Sequence, residues 1–381
     1  MQNFTFANPT KIIFGKAVVA KLGPAAAEAG KKALLVYGGG SIKKNGVYDV
    51  LTESLRKNGV GIAEHPGVKP NPVLSHVRAG IAKARKEGCD LVVAAGGGSV
   101  IDEAKAIAAG ALFSGDVWDF FCGKAQVREA LPLFTALTLP ATGSEMNCGC
   151  VVTNEATAQK FSAQGPAMYP RVSALDPETT LTLPREQVAN GAVDSLAHII
   201  EGYFTASDTD AAVTDEIVHA LARSVVSSTL RILEDPADYN ARASMMWSAT
   251  LALNGLASCG YGRMNFINHA VEHSLSAIYD IAHGAGLAIV MPAWFRHHLE
   301  TDGPARLESF GRAVFGVKTA DRTIKALEAF FRKAGAPVRL KEAGIPAKDI
   351  PEIAENAMQL IRLWGMKHEQ PEIEKILKKA K

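Results

Sequence analysis

The sequence predicts two domains of different class, an α/β domain over residues 1–184 and an all-α domain over residues 185–381. Three observations carry this reading. In the first half, short apolar runs that end in glycine, proline or polar turns alternate with segments of helical period, the pattern of a parallel sheet covered on both faces. After "LPREQVANG" the strand signal disappears and long helical stretches take over. No internal repeat or low-complexity linker separates the halves, so the boundary near residue 184 is marked by the change of pattern alone.

Taken in order, "KIIFG", "KALLVYGGG", "GIAEHPG", "DLVVAAGGG", "FTALTLPATG" and "VSALDP" read as strands, because each is a short β-branched or apolar run closed by a turn residue. Between them, "VYDVLTESLRKNG" and "VLSHVRAGIAKARKEG" repeat their apolar residues at helical spacing and stop at glycine, as helices do. The second half contributes "AVDSLAHIIEGYFT", "TDEIVHALARSVVSSTLRIL" and "DRTIKALEAFFRKAG", all of helical period.

Composition narrows the function classes. A chain of 381 residues with 48% hydrophobic and 21% charged residues can bury two cores. The formal charge of +2 comes from intermixed acids and bases, so no basic tract exists to neutralise nucleic-acid phosphates. Met1 is not followed by a basic and then apolar leader, and no apolar run has membrane-spanning length. A cytoplasmic protein is the expectation. Cys89, Cys122, Cys148, Cys150 and Cys259 are odd in number and lack CxxC spacing, which predicts reduced thiols.

Two glycine turns stand out in the α/β half. "VVAAGGGSVIDEAKAIAAG" runs from strand through Gly96, Gly97, Gly98 and Ser99 directly into a helix. Glycines let backbone approach an anion, and the N–H groups and positive end of the helix favour one, so this is a candidate diphosphate site as well as a possible bare βα turn. It is neither a Walker A loop nor a GxGxxG fingerprint. The other turn, "YGGGSIKKNG", offers Gly38, Gly39, Gly40, Ser41, Lys43 and Lys44 but no carboxylate. An NAD site usually presents an acid to the adenosine ribose, whereas a 2′-phosphate needs room and positive charge. The turn therefore suits NADP(H) better than NAD(H).

In the helical half, Asp194 and His198 stand at i and i+4, on one helical face. A carboxylate among Val193 and Leu196 needs a partner. "NHAVEHSLSAIYDIAHG" supplies His269 and His273 four residues apart and His283 ten further on, which must arrive from a different element. Asp194, His198 and two of those three histidines would make a mixed N/O set suited to Fe(II), Zn(II) or Mn(II).

At this point the sequence resembles the iron-containing (group III) alcohol dehydrogenases, and within them the NADPH-dependent aldehyde reductase and butanol dehydrogenase branch. The resemblance runs through "NPTKIIFGK", "YGGGSIKKNGVYD", "VKPNP", "GGGSVIDEAK", "TLPATGSEMN", "ALDPETTLTLP", "VANGAVDSLAHIIEGY" and "HAVEHSLSAIYDIAHGAGLAIVMPA". It implies a dehydroquinate synthase-like architecture, with an α/β dinucleotide-binding domain before an all-helical metal domain. It also implies one Fe(2+) or Zn(2+) ion on Asp194, His198, His269 and His283, with His273 unligated near the nicotinamide as a candidate proton relay. Gly96 to Ser99 correspond to the diphosphate loop, Asp102 to the acid of the GGGSxxD motif, Thr138, Thr142 and Ser144 to the nicotinamide side, and Asn71 to the "PNP" turn. NAD-preferring relatives carry an aspartate where this chain has Gly38 to Gly40.

The resemblance implies an alcohol or aldehyde substrate, no nucleic-acid or membrane partner, and a homodimer. Two other readings compete: a zinc polyol dehydrogenase or dehydroquinate synthase-like lyase on the same architecture, and a non-catalytic nucleotide-binding protein. The fourth ligand candidate argues against the first, and the presence of His269 and His283 against the second. His65, His76, His219, His297, His298 and His368 match no motif and read as structural or solvated.

Overall fold

In the computed structural model, which describes all 381 residues, the six strand-like runs form one sheet. These strands are β1 (Lys11–Phe14), β2 (Lys32–Tyr37), β3 (Gly61–Pro66), β4 (Leu91–Gly97), β5 (Leu133–Leu139) and β8 (Val172–Leu175). Their order is β1-β8-β5-β4-β2-β3 and every pairing is parallel. β2, β4, β5 and β8 are buried along almost their whole length, as strands covered on both faces must be, whereas the edges β1 and β3 are partly exposed.

The order has a functional consequence. From β2 the chain steps to β3 on one side and then to β4 on the other, so the strand order reverses between β2 and β4. Ligands of open α/β sheets bind beyond the carboxyl ends of strands at such a reversal. Both glycine turns lie there, Gly38 to Gly40 after β2 and Gly96 to Gly98 where β4 passes into the helix Gly98–Leu112.

An antiparallel hairpin, β6 (Gly149–Asn154) with β7 (Gln159–Gln164), adds a feature not read from the sequence. Its connection, "EATA" at residues 155–158, contains neither glycine nor proline, and Ala158 takes a left-handed conformation that normally advertises glycine.

Residues Ala7–Leu183 make one compact unit, and Pro184–Lys381 with Met1–Phe6 make the other. The second unit contains helices and no strand. Its central helix, Arg185–Thr205, is buried at every position from Val188 to Phe204. A helix buried on all sides belongs at the middle of a bundle; the helices Ala212–Glu234, Tyr239–Ala252 and His283–Thr301 pack against it. The helix Ile267–Tyr279 ends at Asp280, whose left-handed backbone turns the chain sharply. His283 then opens the next helix, as the reading of the histidine stretch required.

Gly284 fixes how close the helices His283–Thr301 and Arg185–Thr205 come, because a Cβ there would lie 2.2 Å from the Asn190 carbonyl oxygen. Backbone cannot yield as a flexible side chain can. Gly284→Ala should therefore cost about 1–3 kcal/mol of stability by overpacking, seen as a lower midpoint in urea unfolding. An unchanged midpoint would show that the two helices can separate freely.

Candidate active site

Asp194 and His198 project from one face of the helix Arg185–Thr205, with 3.4 Å between Asp194 Oδ1 and His198 Nδ1. The same oxygen lies 3.5 Å from His283 Nε2 and 3.9 Å from His269 Nε2. Three imidazoles from three helices thus converge on one carboxylate oxygen. The spacing matters: donors at about 2.1 Å from a zinc-like ion lie about 3.4 Å apart in a tetrahedron. Asp194 Oδ1 and His269 Nε2 are buried and take no hydrogen bond. Two buried donor atoms without a hydrogen bond, in a carboxylate-and-imidazole set, fit a divalent cation.

The far sides of two rings are held by carboxylates that sequence reasoning missed. Glu201 Oε2 bonds His269 Nδ1 while its other oxygen accepts from the Asn268 backbone N–H at 2.5 Å. Glu272 Oε2 bonds His283 Nδ1 and Oε1 accepts from the Ser276 hydroxyl. A carboxylate on Nδ1–H selects the tautomer whose Nε2 lone pair faces inward and raises its basicity. The signal was present in "HIIEGY" and "VEHS", where each glutamate stands three residues after a histidine of the cluster.

Burial alone would raise the Asp194 pKa, but the imidazoles of His198, His283 and His269 outweigh it and bring it to about 2. Burial works against the His269 imidazolium in turn, yet Glu201 and Asp194 hold its pKa up to about 10. A field that retains an extra proton on His269 to such a pH favours any cation at that point.

His273 is buried beside this cluster, its ring centroid 5.5 Å from His283, 6.4 Å from His269 and 5.9 Å from Trp364. His273 also offers a ring nitrogen within 4.8 Å of ligand atoms from Glu272 and His283.

In the α/β unit, a Cβ on Gly96, Gly97 or Gly98 would come within 2.5 Å of Val100, 2.9 Å of Leu139 and 2.4 Å of Thr142 respectively. These glycines are needed for close packing whatever else they do. Ser99 follows them in the first turn of the helix Gly98–Leu112. Asp102 is one turn further on, where Oδ1 accepts from the Ser144 hydroxyl at 2.6 Å and Oδ2 from the Val151 N–H at 2.9 Å. Both oxygens tie the helix to residues 144–151. Thr142 Oγ1 accepts from the Ser144 N–H at 3.1 Å, and Thr138 is buried near the end of β5. Asn71 holds a left-handed backbone, and its Oδ1 accepts from Lys160 at 2.9 Å.

Around the first turn, Gly39 and Gly40 have open space where a Cβ would stand, and Ser41 and Lys44 are exposed. Lys43 is already engaged, 4.5 Å above the Tyr48 ring and 3.9 Å from Glu64. Glu64 accepts from the hydroxyls of Tyr37 at 2.5 Å and Tyr48 at 2.6 Å, bonds that hold its carboxyl below the usual range.

A family model described as iron-containing alcohol dehydrogenase matches residues 9–177, and one described as the C-terminal part of the Fe-containing alcohol dehydrogenase family matches residues 188–381. The chain belongs to the iron-containing alcohol dehydrogenases. It is 43% identical over 367 residues to a probable NADH-dependent butanol dehydrogenase 1 of Bacillus subtilis, with 94% of each chain covered. It is 34% identical over 362 residues to the NADPH-dependent aldehyde reductase YqhD of Escherichia coli, covering 93% of this chain and 92% of that one. The crystal structure of NADH-dependent butanol dehydrogenase A from Thermotoga maritima superposes with a TM-score of 0.96 at 46% identity, covering 100% of this chain and 99% of that one.

An iron-containing alcohol dehydrogenase is an oxidoreductase, and the family implies a nicotinamide dinucleotide and a divalent metal. Membership sets aside the lyase and non-catalytic readings. No helix is long and apolar enough to cross a membrane.

Proposed function

We propose that this enzyme reduces aldehydes to primary alcohols, and reverses the reaction, with NADP(H) preferred over NAD(H) and one Fe(2+) or Zn(2+) held by Asp194, His198, His269 and His283. The observation that carries the proposal is the convergence of three imidazoles on Asp194 Oδ1, with that oxygen and His269 Nε2 buried and unbonded. When bound, the two groups supply Lewis-acid polarisation of the substrate oxygen and hydride chemistry at the nicotinamide.

The chain's own residues do the rest. Glu201 and Glu272 fix the tautomers of His269 and His283. Asp194 brings negative charge to the donor set, and burial shields Asp194, His198 and His269 from bulk water while His283 stays partly exposed. Gly96, Gly97, Gly98 and Ser99 lie at a helix N-terminus, where backbone N–H groups can receive the dinucleotide diphosphate. Asn71, Asp102, Thr138, Thr142 and Ser144 would form the adjoining walls, Asp102 acting through Ser144. Reduction of a carbonyl consumes one proton besides the hydride, and His273 is the buried titratable ring beside the ligand set that can deliver it.

NADP(H) preference rests on Gly38, Gly39, Gly40, Ser41 and Lys44, which offer space and a positive charge and no acid. Relatives bear both NADH-dependent and NADPH-dependent names, and Glu64 lies near the turn with its charge taken up by two tyrosines and Lys43. A homodimer is proposed as well, supported by the apolar Phe14 exposed on the edge strand β1. Light scattering at the mass of one chain would rule it out.

The metal and proton roles separate in two variants. Glu201→Gln should weaken metal affinity about 10–100-fold in a chelator competition. His273→Ala should keep its metal and lose about 10²-fold in aldehyde turnover. Metal lost from His273→Ala, or retained at full affinity in Glu201→Gln, would refute the assignment.

Cofactor choice has its own test. Gly38 has an ordinary backbone, and a Cβ there would meet nothing nearer than the Val68 carbonyl at 3.4 Å, so Gly38→Asp should fold. Its carboxylate should oppose the 2′-phosphate by about 1.5–3 kcal/mol, or roughly 10–100-fold in NADPH affinity. A wild type that prefers NADH, or a variant that still prefers NADPH, would contradict the proposal.

A further inference from the structure

The α/β unit holds a second histidine–carboxylate cluster, which the reaction above does not use. His65 comes from β3, His76 from the first turn of the helix Leu74–Glu87, and Glu103 from the helix Gly98–Leu112. Glu103 is fully buried. Its Oε1 lies 3.2 Å from His65 Nε2 and 2.6 Å from His76 Nδ1, and the two rings stack with centroids 4.1 Å apart. One donor atom from each residue falls within 4.8 Å of the others.

The other oxygen, Glu103 Oε2, is buried and takes no hydrogen bond. A network made only of hydrogen bonds would serve each carboxylate oxygen with its own imidazole, because a buried oxygen left unsatisfied costs about 1–3 kcal/mol. Here both rings share one oxygen and leave its neighbour bare. The helix packs closely here: a Cβ at Gly80 would come within 2.3 Å of Ile107 Cδ1 and 2.9 Å of His65 Nε2.

We propose that His65, His76 and Glu103 bind a second divalent cation of the zinc class, independent of the helical cluster, with Glu103 Oε2 and solvent completing the coordination. Two imidazoles and a carboxylate suit Zn(II) and not the all-oxygen shells of calcium or magnesium. The His76 side chain is 27% exposed, which gives the ion a way in, while the other two donors are shielded from water. Such an ion clips the edge strand β3 to two helices. It also closes the segment between His65 and His76, which contains the strained Asn71 turn.

The experiment counts metal in the full chain. Wild type, His76→Ala, His269→Ala and the double variant are stripped with chelator, loaded with Zn(II) alone, desalted and assayed by elemental analysis. Two ions per chain are expected in the wild type, one in each single variant and none in the double. His76 is partly exposed, so its replacement should not endanger folding; the near-isosteric Glu103→Gln should lose the same equivalent. A wild type that retains one ion, or a His76→Ala variant that still retains two, overturns the proposal. The count is independent of the proposed reaction, since loss from His76→Ala and loss from His269→Ala are read separately.

Discussion

A carboxylate in the middle of a helix buried on every side is the constraint around which the helical unit is arranged. Asp194 cannot remain charged there without compensation, because a buried ion that is unpaired costs several kcal/mol. His198 answers from the next turn, and His269 and His283 from two further helices. Those rings would be free to rotate or flip if nothing held their outer nitrogens. Glu201 and Glu272 hold them, and so bring two more carboxyl groups into the apolar interior. Three acids against three imidazoles leave the assembly short of positive charge. Glu201 and Asp194 pull the His269 pKa upward in keeping with that shortage, and a divalent cation at the same point would relieve it.

The glycine turns of the α/β unit illustrate a different logic, in which one residue meets two demands. Gly96, Gly97 and Gly98 must lack side chains because Val100, Leu139 and Thr142 occupy the space. The same absence leaves no Cβ to keep a ligand from the backbone N–H groups at the start of the helix Gly98–Leu112. Packing therefore accounts for the glycines by itself, and the ligand argument needs independent support. It comes from topology, since the turns flank the reversal of strand order between β2 and β4, and from Ser99 and the helix N-terminus facing the same end of the sheet.

Much of this was legible in the sequence, for identifiable reasons. The six strands of the sheet are short apolar runs closed by turn residues, and strands buried on both faces leave that trace. Asp194 with His198, and His269 with His273, are visible because helical spacing is local. Spacing alone left open which two of three histidines face Asp194, since that depends on the turn at Asp280 that brings His283 back. Glu201 and Glu272 were missed because a glutamate on a helix ordinarily reads as a solvated residue. Hairpin β6–β7 was missed because its turn contains no glycine or proline. Asp102 carried a motif but its detailed work did not show: both oxygens are bonded to protein groups more than forty residues away.

His65 and His76 read as structural or solvated, and nothing in the sequence drew Glu103 to them. They lie on three elements, so no period or motif joins them, and only the parallel sheet and its covering helices bring them together. Their presence changes how metal in this enzyme has to be interpreted. Affinity for divalent metals rises along the first-row series toward copper and zinc regardless of the task the site performs, so both clusters draw on the same pool of ions. Zinc in the purified protein can therefore reside in the α/β unit, while the ion proposed at Asp194 is the one assigned to the reaction. On the proposed ligand set, the metal of the reaction is identified by what is lost when His269 is replaced, and the total content of the chain is a sum over two proposed sites.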